Sequence, residues 1–149
     1  MPSGDFMNWN FKKFNELTNE EVYEILRSRA EIFVKEQHIC CADPDGVDYK
    51  SLHIFCKDEE KVSAYLRAFQ YDDETVKIGR VLTLVHRNGL GTQLMEKAKS
   101  EIPRAFNCKK ILVAAQKQAV PFYEKCGFKI VSDEYLEENI PHLDMVFNL

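Results

Sequence analysis

Along the chain the apolar residues change period several times, and each change marks an element. Trp9 to Phe14 reads as a first strand. Thr18 followed three residues later by Glu21 forms a capping box, and the helix it opens carries Val22, Ile25, Leu26 and Phe33 on one face until the helical signal fades after Glu36. Gln37 to Lys50, rich in turn formers, predicts an irregular loop. Leu52 to Cys56 and Val62 to Phe69, joined by the charged turn Lys57-Asp58-Glu59-Glu60-Lys61, predict a hairpin. The β-branched run Thr75 to Val85 breaks at His86-Arg87-Asn88-Gly89-Leu90-Gly91 into a helical pattern with Leu90, Leu94, Ala98 and Ile102 on one face. Lys110 to Ala115 reads as a buried strand, Pro121 to Cys126 as a short helix stopped by Gly127, and Phe128 to Val131 and Leu143 to Asn148 as two more strands. The order β-α-β-β-β-α-β-α-β-β predicts an α/β (α+β) domain with a mixed sheet.

Composition narrows the function classes. With 149 residues, 45% hydrophobic and 30% charged, the chain has the size and balance of one folded domain, expected over residues 7–149 behind a flexible lead at 1–6. The net charge of −4 argues against a nucleic-acid partner, and no apolar run approaches the ~20 residues of a membrane span. Five cysteines without a Cys-x-x-Cys pair point to reduced thiols and a cytoplasmic protein.

The candidate chemistry begins with the strand, glycine loop and helix at Thr75 to Ile102. Glycines let the backbone approach a ligand, and the unpaired N–H groups at a helix start favour an anion such as a pyrophosphate. Some thirty residues on, Phe122-Tyr123-Glu124-Lys125-Cys126-Gly127-Phe128 places a tyrosine on a short helix, where a phenol can serve as a general acid. The loop around His38, Cys40, Cys41, Asp43 and Asp45 contains metal-ligand types, but adjacent cysteines are not a chelating spacing and the calcium-loop pattern fails, so no metal is expected.

Together the glycine loop and the Phe-Tyr-x-x-x-Gly-Phe phrase resemble the Gcn5-related N-acetyltransferase (GNAT) superfamily. Ile32-Phe33-Val34-Lys35-Glu36-Gln37, Ile78-Gly79-Arg80-Val81 and Ile140-Pro141-His142-Leu143-Asp144-Met145 resemble its ElaA-like branch. His86 stands where that family usually carries Gln or Arg. The resemblance implies a mostly antiparallel sheet of six to seven strands with one splayed parallel pair, flanked by about four helices. It implies acetyl-CoA as cosubstrate, direct transfer to a primary amine, and no covalent enzyme intermediate.

By the same resemblance, the pyrophosphate rests on N–H groups of Arg87, Asn88, Gly89, Leu90, Gly91 and Thr92. The pantetheine arm follows Leu82, Thr83 and Leu84, with a backbone N–H near Leu82 or Thr83 polarising the acetyl carbonyl; Gln116 and Phe122 complete the cofactor contacts. Tyr123 protonates the departing thiolate and Glu36 is the leading general base, with His53 and His142 as further titratable groups near neutral pH. Asp43, Asp45 and Asp48 suggest an acidic rim suited to a cationic amine. A non-catalytic acyl-CoA sensor is the competing reading, and the oligomeric state is open between monomer and homodimer.

Overall fold

The computed structural model describes residues 7–37, 43–84 and 89–149, with side chains except at positions 7, 35 and 36. Strands β1 (Met7–Lys13), β2 (Leu52–Asp58), β3 (Lys61–Gln70) and β4 (Thr75–Thr83) follow one another as antiparallel neighbours. Helix α2 (Leu90–Ala105) crosses over to β5 (Lys110–Gln116), which lies parallel to β4, and β8 (Ile140–Asn148) runs antiparallel on the far side of β5. Two short strands, β6 (Lys129–Ile130) and β7 (Tyr135–Glu137), occupy the other edge of β8.

The helices cover both faces of this sheet, which explains why β2 and β3 read as nearly unbroken apolar runs. On one face Ile54, Ala64, Leu66, Ile78, Ile111 and Val113 pack against Leu90, Leu94, Met95, Ala98 and Ile102 of α2. The spacing of those α2 residues is the four-residue stripe visible in the sequence. On the opposite face Phe55, Tyr65 and Leu82 pack against Ile25 of α1 (Asn19–Arg29). Each Leu, Ile, Val, Phe or Met among them contributes about 1.5–3 kcal/mol when fully buried.

Three details depart from what the pattern or the resemblance led us to expect. The first helix keeps its α geometry only to Arg29 and continues as a π-helix over Ala30–Glu36, with the Gln37 N–H donating to the Ile32 carbonyl at 3.1 Å. Among the described residues the sheet has eight strands, because the three-residue segment Tyr135-Leu136-Glu137 becomes β7 through its pairing with β8. There are three α-helices among the described residues where about four were expected; the third, α3, covers Val120–Lys125.

The capping box is present as expected, and it does more than start a helix. The Thr18 hydroxyl accepts the Glu21 N–H at 3.1 Å and the Glu21 carboxylate accepts the Thr18 N–H at 2.9 Å. The same carboxylate also receives the ammonium groups of Lys12 on β1 and Lys57 on β2, each at 3.0 Å, which ties α1 to the sheet. Burial alone would raise its pKa, but the Thr18 N–H and the two lysines outweigh that and hold it at about 2. A carboxylate lowered in this way stabilises the fold above its ordinary value of 4.5, and the contribution is lost as pH falls towards 2. Glu21→Gln is therefore expected to lower the melting temperature by several degrees at pH 7, and by progressively less in scans stepped from pH 5 to pH 2.

Candidate active site

The parallel pair β4 and β5 is bonded over only four residues, from Thr75 opposite Lys110 to Ile78 opposite Val113. Beyond that point β4 stays with β3 and β5 stays with β8, so the strands diverge. The cause lies in β4. Tyr65 pairs with Leu82 and Arg67 with Gly79, so Leu66 faces two residues, Arg80 and Val81, in a bulge. Arg80 sits there at φ +52°, a left-handed conformation that costs a non-glycine residue about 1–2 kcal/mol.

What holds Arg80 in place is a closed ring of three arginines and three aspartates. Arg80 Nε lies 3.0 Å from Asp43, and its guanidinium reaches Asp45 at 3.5 Å. Arg67 on β3 grips Asp45 in bidentate fashion at 2.8 and 2.7 Å and Asp48 at 3.1 Å. Arg29, fully buried at the end of α1, closes the ring onto Asp48 at 2.7 Å and Asp43 at 3.0 Å. Arg67 and Arg29 keep Asp45 and Asp48 below the usual carboxylate range despite burial. The expected acidic rim is thus internally neutralised: each of these aspartates serves two guanidinium groups. The sequence reading missed Arg29 and Arg67, whose isolated charges resemble solvated ones.

The diverging strands open a cleft of about 660 Å³, within the usual range for a small-molecule site. Phe33 and Val34 of the π-helix form one wall, Gly79 to Val81 the β4 side, and Ala114 and Gln116 the β5 side. Tyr123 of α3 and the β7–β8 hairpin residues Glu137, Glu138 and His142 also line it.

Tyr123 is positioned by the end of its own helix. The Phe128 N–H donates to the Tyr123 carbonyl and the Gly127 N–H to the Glu124 carbonyl, both at 3.0 Å, with Gly127 at φ +93°. Its ring packs edge-on between Phe122 and Phe128. Burial pushes the phenol pKa up, so Tyr123 stays protonated through neutral pH, as a proton donor must.

Leu84 donates its N–H to the Ser63 carbonyl at 2.8 Å, and strand alternation turns the Leu82 backbone to β3 in the same way. Only Thr83, of the three residues expected along the pantetheine, has backbone groups aimed at the gap. Gly89 caps α2 at φ +81°, and the first turn-closing bond runs from the Gln93 N–H to the Gly89 carbonyl, which leaves the N–H groups of Leu90, Gly91 and Thr92 without helical partners. A Cβ on Gly91 would meet the Phe122 ring at 3.2 Å, so Phe122 buttresses the start of α2. Arg87 and Asn88 lie outside the described residues, as does the Glu36 side chain.

Gln116 donates to Gln37 at 2.9 Å and accepts from Gln118 at 2.6 Å, an amide chain joining the π-helix to the end of β5. His53 lies away from the cleft lining. Its Nδ1 accepts from the Tyr65 hydroxyl at 2.6 Å, its Nε2–H donates to the Asp48 carbonyl at 2.9 Å, and burial keeps it neutral. It is a structural residue. His142 is also buried; its Nδ1 is hydrogen-bonded to the Ile140 carbonyl at 2.7 Å, and its Nε2 stands 3.7 Å from the Glu137 carboxylate. Among the described residues no group of three candidate ligands could hold a metal ion, and no helix is long and apolar enough to cross a membrane.

Residues 44–149 match the family described as Acetyltransferase (GNAT) domain. The chain belongs to the GNAT family. Protein ElaA of Escherichia coli is 32% identical over 145 residues, covering 93% of this chain and 95% of ElaA. The crystal structure of ElaA superposes with a TM-score of 0.88, covering 95% of this GNAT chain and 99% of ElaA. An acyl-CoA N-acyltransferase from Pseudomonas aeruginosa superposes with a TM-score of 0.87 at 33% identity, covering 94% and 99% of the two chains. A UPF0039 protein of Schizosaccharomyces pombe is 36% identical over 143 residues, covering 93% of this chain and 95% of its own. The protein is accordingly an acyltransferase of the ElaA-like branch, in a family that takes its acyl group from an acyl-CoA.

Removing one member of the arginine–aspartate ring leaves buried charge without a partner, which costs about 3–5 kcal/mol. Asp48→Asn strands part of both Arg29 and Arg67, so its urea midpoint is expected to fall steeply. Combining it with Arg67→Met is expected to cost less than the sum of the two single changes, because both act on one network.

Proposed function

We propose that this GNAT protein transfers the acetyl group of acetyl-CoA directly to a primary amine. The observation that carries the reading is the divergence of β4 and β5 beside a buried, protonated tyrosine, with the start of α2 leaving three N–H groups unpaired. Residues 7–149 act as one catalytic domain in the cytoplasm.

In this mechanism the N–H groups from Arg87 to Thr92, with Asn88, Gly89, Leu90 and Gly91 between them, receive the pyrophosphate. The pantetheine arm lies along β4 in strand-like fashion, and its acetyl carbonyl accepts a hydrogen bond from the Thr83 N–H, which stabilises the oxyanion as the amine attacks. Leu82 and Leu84 keep that segment fixed to β3, and Gln116 borders the acetyl end. The carbon–sulfur bond then breaks and Tyr123 gives its proton to the CoA thiolate. Two carboxylates outside the ring, on Glu137 and Glu138, face the cleft from the β7–β8 hairpin and favour a cationic acceptor.

Acetyl-CoA at ~100 times its dissociation constant is expected to stabilise the protein by about 2.7 kcal/mol, a shift of several degrees in thermal denaturation. CoA should act similarly and ATP should not. Tyr123→Phe should bind acetyl-CoA unchanged and lower turnover by ~100-fold or more. A full thermal shift with no CoA release in the presence of any amine would favour a non-catalytic sensor instead.

A further inference from the structure

The acceptor amine arrives as an ammonium ion and must lose a proton before it can attack. We infer that His142 takes that proton and passes it to solvent through Glu137; this rests on the acetyl-transfer reading above. His142 lies opposite Gln116 in the β5–β8 register, and directly opposed residues share a face of the sheet, so its ring stands on the cleft side beside the end of β5. It is 6% exposed, which excludes bulk water from the ring without removing it from the cleft.

Three neighbours fix the ring and its tautomer. The Ile140 carbonyl at 2.7 Å can only accept, so Nδ1 carries the hydrogen of the neutral imidazole and Nε2 carries the lone pair. Tyr135, paired with His142 across the β7–β8 hairpin, stacks on the imidazole at 6.1 Å and is itself held by its hydroxyl donating to Asp144. Glu137 Oε2 stands 3.7 Å from Nε2, close enough to stabilise the imidazolium once it forms. Glu137 is 54% exposed, so a proton handed to it reaches water directly. The charged and titratable groups facing His142 are thus Tyr135 and Glu137 from β7, with Asp144 of β8 behind Tyr135; Glu138 lies in the same cleft.

The proton balance closes with these residues. The ammonium gives one proton to His142 Nε2 and the free amine forms a C–N bond to the acetyl carbon. As the tetrahedral intermediate collapses, the C–S bond breaks, the thiolate takes the Tyr123 proton, and the second amine proton restores the phenol by way of the cleft. The products are the amide, CoA–SH and one proton delivered to solvent through Glu137.

The test uses two small nucleophiles that need no acceptor pocket. Ethylamine is protonated at pH 7 and needs a base; hydroxylamine is neutral and does not. With the intact protein and saturating acetyl-CoA, His142→Gln is expected to lose ~100-fold in kcat/KM for ethylamine and less than threefold for hydroxylamine. Its ethylamine rate should then climb about tenfold per pH unit from pH 7 to 9, following the free amine, while wild type levels off. Glu137→Gln should show the same preference in weaker form.

Equal losses with both nucleophiles would mean that His142 only supports the hairpin, and unchanged rates would mean that it takes no part; either overturns the inference. So would Glu36→Gln showing the ethylamine-selective loss in place of His142→Gln. A wild-type protein that is stabilised by acetyl-CoA yet accelerates neither nucleophile would overturn the transfer reading itself, a result distinct from failure of the base assignment.

Discussion

The ring of Arg29, Asp48, Arg67, Asp45, Arg80 and Asp43 is the constraint on which the cleft depends. It ties the end of α1 to the middle of β3 and to the bulge of β4 through the three aspartates of the Asp43–Asp48 segment. Buried ion pairs are not a cheap source of stability, because desolvation offsets most of their attraction. Their value here is geometric. Each guanidinium has two carboxylate partners and each carboxylate two guanidinium partners, so no member can move without stranding its neighbours. The left-handed Arg80 that splits β4 from β5 is kept in place by this closure.

From that split the rest of the site follows. Four paired residues bring the strands together, and the fifth position on each leads them apart. One consequence is an exposed run of backbone on β4, of which Thr83 offers its N–H to the gap. Another is a space beneath the C-terminal end of β5, filled from the sides by Tyr123 and His142. The π-helix adds the outer wall. Its wider turn is rare in proteins and occurs frequently at functional sites.

Much of this was legible in the sequence, for reasons that differ by element. The α2 stripe, the hairpin of β2 and β3 and the capping box at Thr18 and Glu21 are local patterns, and the structure repeats them to within a residue or two. Tyr123 and Gly127 were found through a phrase whose spacing is itself a helix-ending motif. The ring was not legible, since its partners lie 14 to 37 residues apart and isolated arginines resemble solvent-facing ones. The acidic loop was located correctly and its charge misread for the same reason. β7 was hidden because three residues are too few to show a strand period, and they become a strand only when β8 is beside them. His53 and His142 looked alike as single histidines; the structure separates them, since both ring nitrogens of His53 are hydrogen-bonded within the fold whereas Nε2 of His142 faces the Glu137 carboxylate at 3.7 Å.

The most direct test of this account is residue-resolved amide hydrogen exchange with and without acetyl-CoA. Leu84 is already bonded to β3 and should exchange slowly in both states, and Leu82 with it, whereas Thr83 should exchange quickly alone and slow markedly when the cofactor binds, together with Leu90, Gly91 and Thr92. Protection confined to other segments, with Thr83 unchanged, would show that the gap between β4 and β5 is not where the thioester lies.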